Sequence, residues 1–374
     1  MTQAFTAPAY EDRSLGDVLP AVAAALGVDA GLPASSLQFP PAQSYVVFLI
    51  DGLGYELLRD HPEEAPFLHS LLTADTVATV GVPSTTATSL TSLGTALMPG
   101  HHGVVGFTSR IPGTESLLNA LVWDAKAVDP LAWQPHETAF AKLVGSGVHA
   151  TVVNQRGFRN SGLTIAGNRG ADFVGADKTG ERLAAVLAAS GKSPSVTYMY
   201  DGDLDWTGHR YGVASEEWQQ QLFMIDAAAE HLREALPDDR RIVVVADHGM
   251  VDCPMDNRVD VDEIAELRDG VSLLGGEARF RQIYCRGGAV DDVMAAWRSV
   301  VEDRAQVLTK DEALALGWFG PVEDLVRPRL GDVMVACRGD FSVMNTSAFP
   351  YEARMVGMHG SLTSVEMLIP VLVC

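Results

Sequence analysis

Six residues able to bind a cation stand at or beside the ends of short apolar runs in this 374-residue chain. Asp51 follows the run Tyr45 to Ile50 and opens Asp51-Gly52-Leu53-Gly54, where glycines let the chain turn. A second run, Val243 to Ala246, leads into Asp247-His248-Gly249-Met250. Ligands of open α/β sheets bind outside the carboxyl ends of the strands, so both runs aim their polar residues at one edge. Between them, Asp205-Trp206-Thr207-Gly208-His209 sets a carboxylate and an imidazole four apart, a spacing that faces one way on a helical turn. His359-Gly360-Ser361 adds an imidazole before the last apolar run. Oxygen and nitrogen donors in such sets suit zinc or a similar divalent ion. Taken singly, each has an ordinary reading: strand-Asp-Gly is a common turn, and a lone histidine is a satisfied core or surface residue. Three aspartates and three histidines at one sheet edge are too many costly polar groups unless a metal or a substrate compensates them.

The chemistry also needs a nucleophile, and the candidate segment is Gly81-Val82-Pro83-Ser84-Thr85-Thr86-Ala87-Thr88-Ser89-Leu90. Pro83 and the hydroxyl-rich run suit a helix start, where unpaired backbone N–H groups and the positive dipole end attract phosphate. On its own the segment also reads as an N-cap followed by a Ser/Thr-rich helix.

Positioning these groups requires strands and helices in alternation. Strand-like runs span Tyr45 to Ile50, Val148 to Val153, Ser195 to Tyr200, Arg241 to Ala246 and Met367 to Val373. Near-continuous apolar strands separated by helix-length segments argue for a parallel sheet covered on both faces. Helices are expected over Thr86 to Leu97, Thr179 to Ser190, Ser215 to Leu236 and Asp291 to Asp303. The third puts Trp218, Leu222, Ile225 and Leu232 on one face, as a surface helix packed on the sheet would. Residues 257–344 differ in texture, with short strands such as Gln282 to Arg286 and Val333 to Cys337. They are expected to form a small α+β insertion, or an extension of the main sheet, within a core of residues 1–256 and 345–374.

Hydrophobic residues make up 47% and charged residues 20%, the composition of a folded globular protein. A formal net charge of -21 argues against a nucleic-acid polymer as the main partner, which would call for a basic patch. A small anionic substrate stays compatible if bound metal supplies local positive charge. Cys253, Cys285, Cys337 and Cys374 are too widely spaced for a zinc finger or a C-x-x-C motif and read as mostly buried thiols in a reducing compartment. The stretch Leu19 to Val28 follows Glu11, Asp12 and Asp17 and reads as an amphipathic helix rather than a signal peptide. No run approaches the roughly 18 apolar residues of a membrane span. A cytoplasmic location is the expectation; nothing here speaks to oligomeric state.

The order strand-Asp, Pro-x-x-Thr helix start, Asp-x-x-Gly-His, Asp-His-Gly-Met and late His-Gly resembles the alkaline phosphatase superfamily, in its nucleotide pyrophosphatase/phosphodiesterase branch. The motifs run from Asp51 to Gly360, most of the chain. The resemblance implies a three-layer α/β/α sandwich and a metal-dependent phosphodiesterase or nucleotide pyrophosphatase acting on a small phosphate ester. It implies two divalent ions, zinc first and manganese as the alternative. One would take Asp51, Thr86, Asp247 and His248; the other Asp205, His209 and His359. The family's Pro-Thr-Lys-Thr pattern ends in its nucleophile, which points to Thr86 rather than Thr85 and to a phosphothreonine intermediate. Met98-Pro99-Gly100-His101-His102-Gly103 is similar to the stretch that follows that helix in the family, with His102 structural. The family's phosphoryl-binding Asn would fall near Phe107, where none stands; Asn119, or backbone amides, would then fill the role.

Other readings fare worse. Asp201-Gly202-Asp203-Leu204-Asp205 imitates a calcium loop, but Trp206 and Gly212 occupy the positions of its turn glycine and bidentate Glu. The sulfatase nucleophile pattern is missing, and Gly175 to Thr179 lacks the glycine spacing of a phosphate loop. A phosphomonoesterase, phosphonate hydrolase or phosphomutase of the same superfamily remains the alternative activity. A catalytically silent binding protein is the alternative of another class.

Overall fold

The structure is a computed structural model describing residues 4–10 and 12–374, so Glu11 lies outside the described residues. At its centre is a seven-stranded sheet of β1 (Ser44–Ile50), β2 (Val77–Thr79), β3 (His149–Asn154), β4 (Asp172–Gly175), β5 (Ser195–Asp201), β6 (Arg240–Val245) and β7 (Leu368–Val373). Their order is β2-β7-β6-β1-β5-β3-β4. The links β6-β1-β5-β3-β4 are all parallel, and β7 runs antiparallel to both of its neighbours. This is the mostly parallel α/β sheet expected from the sequence. Every residue of β1 is buried, which is why it reads as an unbroken apolar run: a strand covered on both faces has no solvent side to make polar.

Helices close both faces. Those used below are α1 (Val18–Ala25), α2 (Thr86–Thr95), α3 (Asp203–Tyr211) and α4 (Glu216–Ala235). Ser215 caps α4 by accepting from Trp218 N, and Trp218, Leu222, Ile225, Ala229 and Leu232 form its buried face. Asp226 is buried on that face too, because its carboxylate accepts the Phe67 and Leu68 amides at 3.1 and 2.7 Å and so caps a neighbouring helix. Residues Val18 to Ala23 of α1 are all buried, so this helix is a core element without the solvent-facing stripe expected of an amphipathic one. α2 stops two residues short of the expected Leu97, with Ala96 in the left-handed conformation (φ 56°) ending it.

Within residues 257–344 a separate antiparallel sheet runs in the order Val271–Glu277, Phe280–Cys285, Val333–Cys337, Ala305–Thr309. Helix Val290–Val301 lays Trp297 and Val293 against it. Its other face joins the main core through residues such as Phe280 and Met334. Two buried ion pairs anchor it beside the main sheet's edge: Arg279 Nε to Glu366 Oε1 at 2.7 Å, and Arg281 Nη2 to Glu352 Oε2 at 2.5 Å. Among the described residues, no helix is long and apolar enough to cross a membrane.

Candidate active site and metal centre

Asp51 leaves the end of β1, and the turn behind it requires glycine. Gly52 has φ +77°, and a Cβ there would meet the Asp205 backbone at 3.2 Å. The Gly52 amide donates to Asp247 Oδ1 at 3.1 Å, tying the ends of β1 and β6 together. Gly249 serves the same purpose after His248, since a Cβ would lie 1.8 Å from the Val365 carbonyl. Asp205 and His209 sit one turn apart on α3, and His359 precedes β7.

These six residues form two groups, Asp51–Asp247–His248 and Asp205–His209–His359, whose ligating atoms lie within 4.8 Å of one another in each group. All three imidazoles are oriented alike. Nδ1 of His209, His248 and His359 lies 2.8, 3.0 and 2.9 Å from the carbonyl oxygens of Gly357, Gly249 and Ser84. A carbonyl only accepts, so each Nδ1 carries the proton and each Nε2 presents a lone pair. Those Nε2 atoms face carboxylates: His248 to Asp51 Oδ1 at 3.3 Å, His209 to Asp205 Oδ2 at 3.3 Å, His359 to Asp205 Oδ1 at 3.7 Å.

The cluster is electrostatically incomplete. Asp51 Oδ1, Asp205 Oδ1 and Asp247 Oδ2 are buried without a hydrogen-bond partner. Burial pushes the Asp51 carboxyl well above the usual carboxylate range, and the charges of Asp247 and Asp205 push it further. Burial likewise holds His359 well below the usual imidazole range, with the His248 and His209 rings adding to the effect. Anions crowded in a dry site beside neutral imidazole lone pairs are the complement of divalent cations, so the residues fit the metal.

Thr86 opens α2 beside this cluster. Its Oγ1 lies 3.2 Å from His248 Nε2 and 3.4 Å from Asp51 Oδ2. Several of its hydroxyl neighbours are spent on backbone carbonyls: Ser84 on Ser361, Ser89 on Asp247, Thr91 on Ala87, Thr95 on Thr91. A cavity of about 490 Å³ opens over Thr86, Asp205, His209 and His359 and is walled by Phe107, Asn119, Val122, Glu277, Tyr351 and Met355. A smaller one of about 170 Å³ reaches Thr86 from the side of Asn154, Ser161 and Tyr200.

The structure brings every sequence-predicted site residue to this one place. Asn119 lines the larger cavity with its Oδ1 held by the Leu121 and Val122 amides at 3.0 and 3.1 Å. Two residues escaped sequence reasoning. Tyr200 donates to Asp51 Oδ2 at 2.5 Å, and Glu277 reaches the cavity wall from the outer sheet. Tyr200 lay within an apolar run, where an aromatic reads as core. Glu277 is separated from Thr86 by almost two hundred positions, with no local signal to connect them.

A phosphate-ester hydrolase of alkaline phosphatase-like fold is the class that sheet, ligand groups and hydroxyl define. The family model described as type I phosphodiesterase / nucleotide pyrophosphatase matches residues 45–362, and the chain belongs to that family. It is a phosphodiesterase/nucleotide pyrophosphatase of this metal-dependent family. The fold is similar to murine ectonucleotide pyrophosphatase/phosphodiesterase 5, solved as an inactive threonine-to-alanine variant in complex with AMP (17% identity, TM-score 0.69, 88% of this chain and 87% of that one). It is also similar to the human ectonucleotide pyrophosphatase/phosphodiesterase 5 (16% identity, TM-score 0.68, the same coverage). A search of curated proteins returned no match.

Proposed function

We propose that the chain hydrolyses small phosphodiesters or nucleotide pyrophosphates through a covalent phosphothreonine on Thr86. The observation that carries this reading is the place of Thr86 Oγ1, 3.2 Å from His248 Nε2 and 3.4 Å from Asp51 Oδ2, at the start of a helix and on the floor of the large cavity. That a threonine-to-alanine variant of the murine relative is inactive supports the same chemistry here.

Asp51, Asp247, His248 and Thr86 would hold one divalent ion, and Asp205, His209 and His359 the other, with zinc the metal best suited to mixed carboxylate and imidazole donors. When bound, the pair supplies positive charge that favours the ionised hydroxyl and neutralises charge developing on the attacking and leaving oxygens. Thr86 Oγ1 attacks phosphorus while the bond to the leaving oxygen breaks, and water then cleaves the Thr86–phosphorus linkage, the second ester group staying on phosphorus and departing with the released phosphate monoester. The α2 N-terminus adds backbone N–H groups at the phosphoryl oxygens. The Asn119 amide, oriented by its bonds to Leu121 and Val122, takes the place of the missing family Asn.

Charge favours a diester. Two dications against three carboxylates leave about one net positive charge, which ionisation of Thr86 would cancel. The arginines that follow the nucleophile segment are engaged elsewhere: Arg110 with the Thr114 carbonyl, Arg156 with Asp177 and Glu181, Arg159 over the Phe173 ring, and Arg169 with backbone carbonyls. None of the four lines either cavity, so none clamps the extra oxygen charge of a monoester. Catalytic efficiency on bis-p-nitrophenyl phosphate, p-nitrophenyl phosphate and a nucleotide p-nitrophenyl ester, at equal zinc loading, tests the reading. Preference for either diester is expected, and a clear preference for the monoester would reassign the chain to the phosphomonoesterases.

A further inference from the structure

At the wall of the large cavity, the outer antiparallel sheet inserts a carboxylate among residues at the start of α2. Glu277 ends the strand Val271–Glu277, is buried, and lines the same cavity as Thr85 and Thr86. Its Oε1 accepts the Phe107 amide, while its Oε2 is buried with no hydrogen-bond partner. Gly106 and Gly360 leave room for it: a Cβ at Gly106 would lie 3.4 Å from Oε1, and one at Gly360 3.0 Å from its Cβ. The chain therefore keeps a carboxylate with one unpartnered oxygen where an enzyme for doubly charged phosphoryl groups would place a cation or an amide donor.

We propose that Glu277 is a specificity-determining residue whose negative charge, set beside Thr85 and Thr86, excludes dianionic phosphoryl groups and so selects diesters over monoesters. The inference rests on the diesterase reading above and names the residue that enforces it. Two like charges several ångströms apart in a partly dry cavity repel enough to change relative rates about tenfold. The alternative role, holding the Phe107 turn through Oε1, is structural and blind to substrate charge. Burial keeps the acid form of Glu277 up to about 7 against the opposing influence of the Phe107 amide, Arg281 and Thr85. Assays at about pH 8.5 therefore compare a charged wild-type residue with neutral variants.

The experiment uses the full chain loaded with zinc and compares Glu277→Gln and Glu277→Ala with wild type on p-nitrophenyl phosphate and bis-p-nitrophenyl phosphate. Glu277→Gln retains an acceptor for the Phe107 amide and removes only the charge. The ratio of kcat/KM for the monoester over that for the diester should rise about tenfold in both variants, with zinc content unchanged. A ratio within about twofold of wild type in Glu277→Gln would overturn the proposal while a diester-preferring wild type keeps the diesterase reading intact. So would equal losses on both substrates in Glu277→Ala that Glu277→Gln restores, the mark of a structural role. A wild-type enzyme that prefers the monoester would overturn both.

Discussion

The rings of His248 and His359 stack with centroids 3.6 Å apart and planes 13° from parallel. They belong to different ligand groups, so the two groups share a wall. Stacked imidazoles this close cannot both be protonated without strong repulsion, and each spends its Nδ1 proton on a backbone carbonyl. Two abutting groups with separate donors should hold about two divalent ions per chain. Asp205→Ala or His209→Ala should empty one site and leave the other partly filled. Elemental analysis of the purified variants checks this, and equal loss from both sites would show that the six residues act as a single centre.

Thr86→Ala should lower turnover by several orders of magnitude, the scale of losing a covalent nucleophile. Thr85→Ala should do far less, because Thr85 is only the residue before α2 and makes neither of the contacts that Thr86 makes with His248 and Asp51. Intact-mass spectrometry after rapid acid quench should show a phosphoryl adduct on wild type that Thr86→Ala lacks. If Thr85→Ala proved to be the dead variant, the nucleophile would be one residue earlier.

Tyr200→Phe should weaken metal binding without emptying the site. The phenol donates to Asp51 Oδ2, and outer hydrogen bonds of this kind fix a ligand's orientation at a typical 10- to 100-fold in affinity. Chelator competition should therefore report a weaker Asp51 site, while activity at saturating zinc stays near wild type. Unchanged affinity would mean that the Tyr200 hydroxyl does not orient Asp51 for the metal.

How much of this could be read from the chain follows from the range of each signal. Asp51, Asp247 and His248 sit directly after apolar runs, so period and punctuation locate them at a sheet edge without any tertiary knowledge. Asp205 and His209 carry their own helical spacing. Strand limits moved by about one residue because backbone pairing, which sequence patterns do not report, decides where a strand stops. Glu277 and Tyr200 are different. Glu277 matters only because the outer sheet brings the end of its first strand to the cavity that Thr86 lines, and Tyr200 looks like any aromatic in a buried strand until Asp51 is seen beside it. Asp226 was missed in the same way: a carboxylate on the apolar face of α4 makes sense only once the Phe67 and Leu68 amides arrive to meet it.

The last prediction concerns His102, which is fully buried a few residues after α2. The Val104 amide donates to its Nδ1 at 3.2 Å, so the ring proton sits on Nε2 and is donated to Ser92 Oγ at 2.9 Å. Burial, followed by the charges of His101, His136 and Arg329, pushes its pKa down to about 3 from the ordinary imidazole value of roughly 6.5. An imidazole that resists protonation only when folded makes the unfolded chain the better proton binder in acid. Its contribution is therefore full above about pH 6.5 and is lost as pH falls toward about 3, by up to roughly 4 kcal/mol. His102→Gln lacks the titrating group. It should be less stable than wild type by about 1–3 kcal/mol at neutral pH, through its imperfect replacement of two buried hydrogen bonds. That gap should close as pH drops to about 5, because only wild type pays the protonation penalty. Urea denaturation of both proteins at neutral and mildly acidic pH measures the gap directly. The carboxylate and imidazole clusters around Thr86 titrate in both proteins and cancel in the difference, so parallel stability curves would show that His102 is not the buried neutral imidazole its contacts describe.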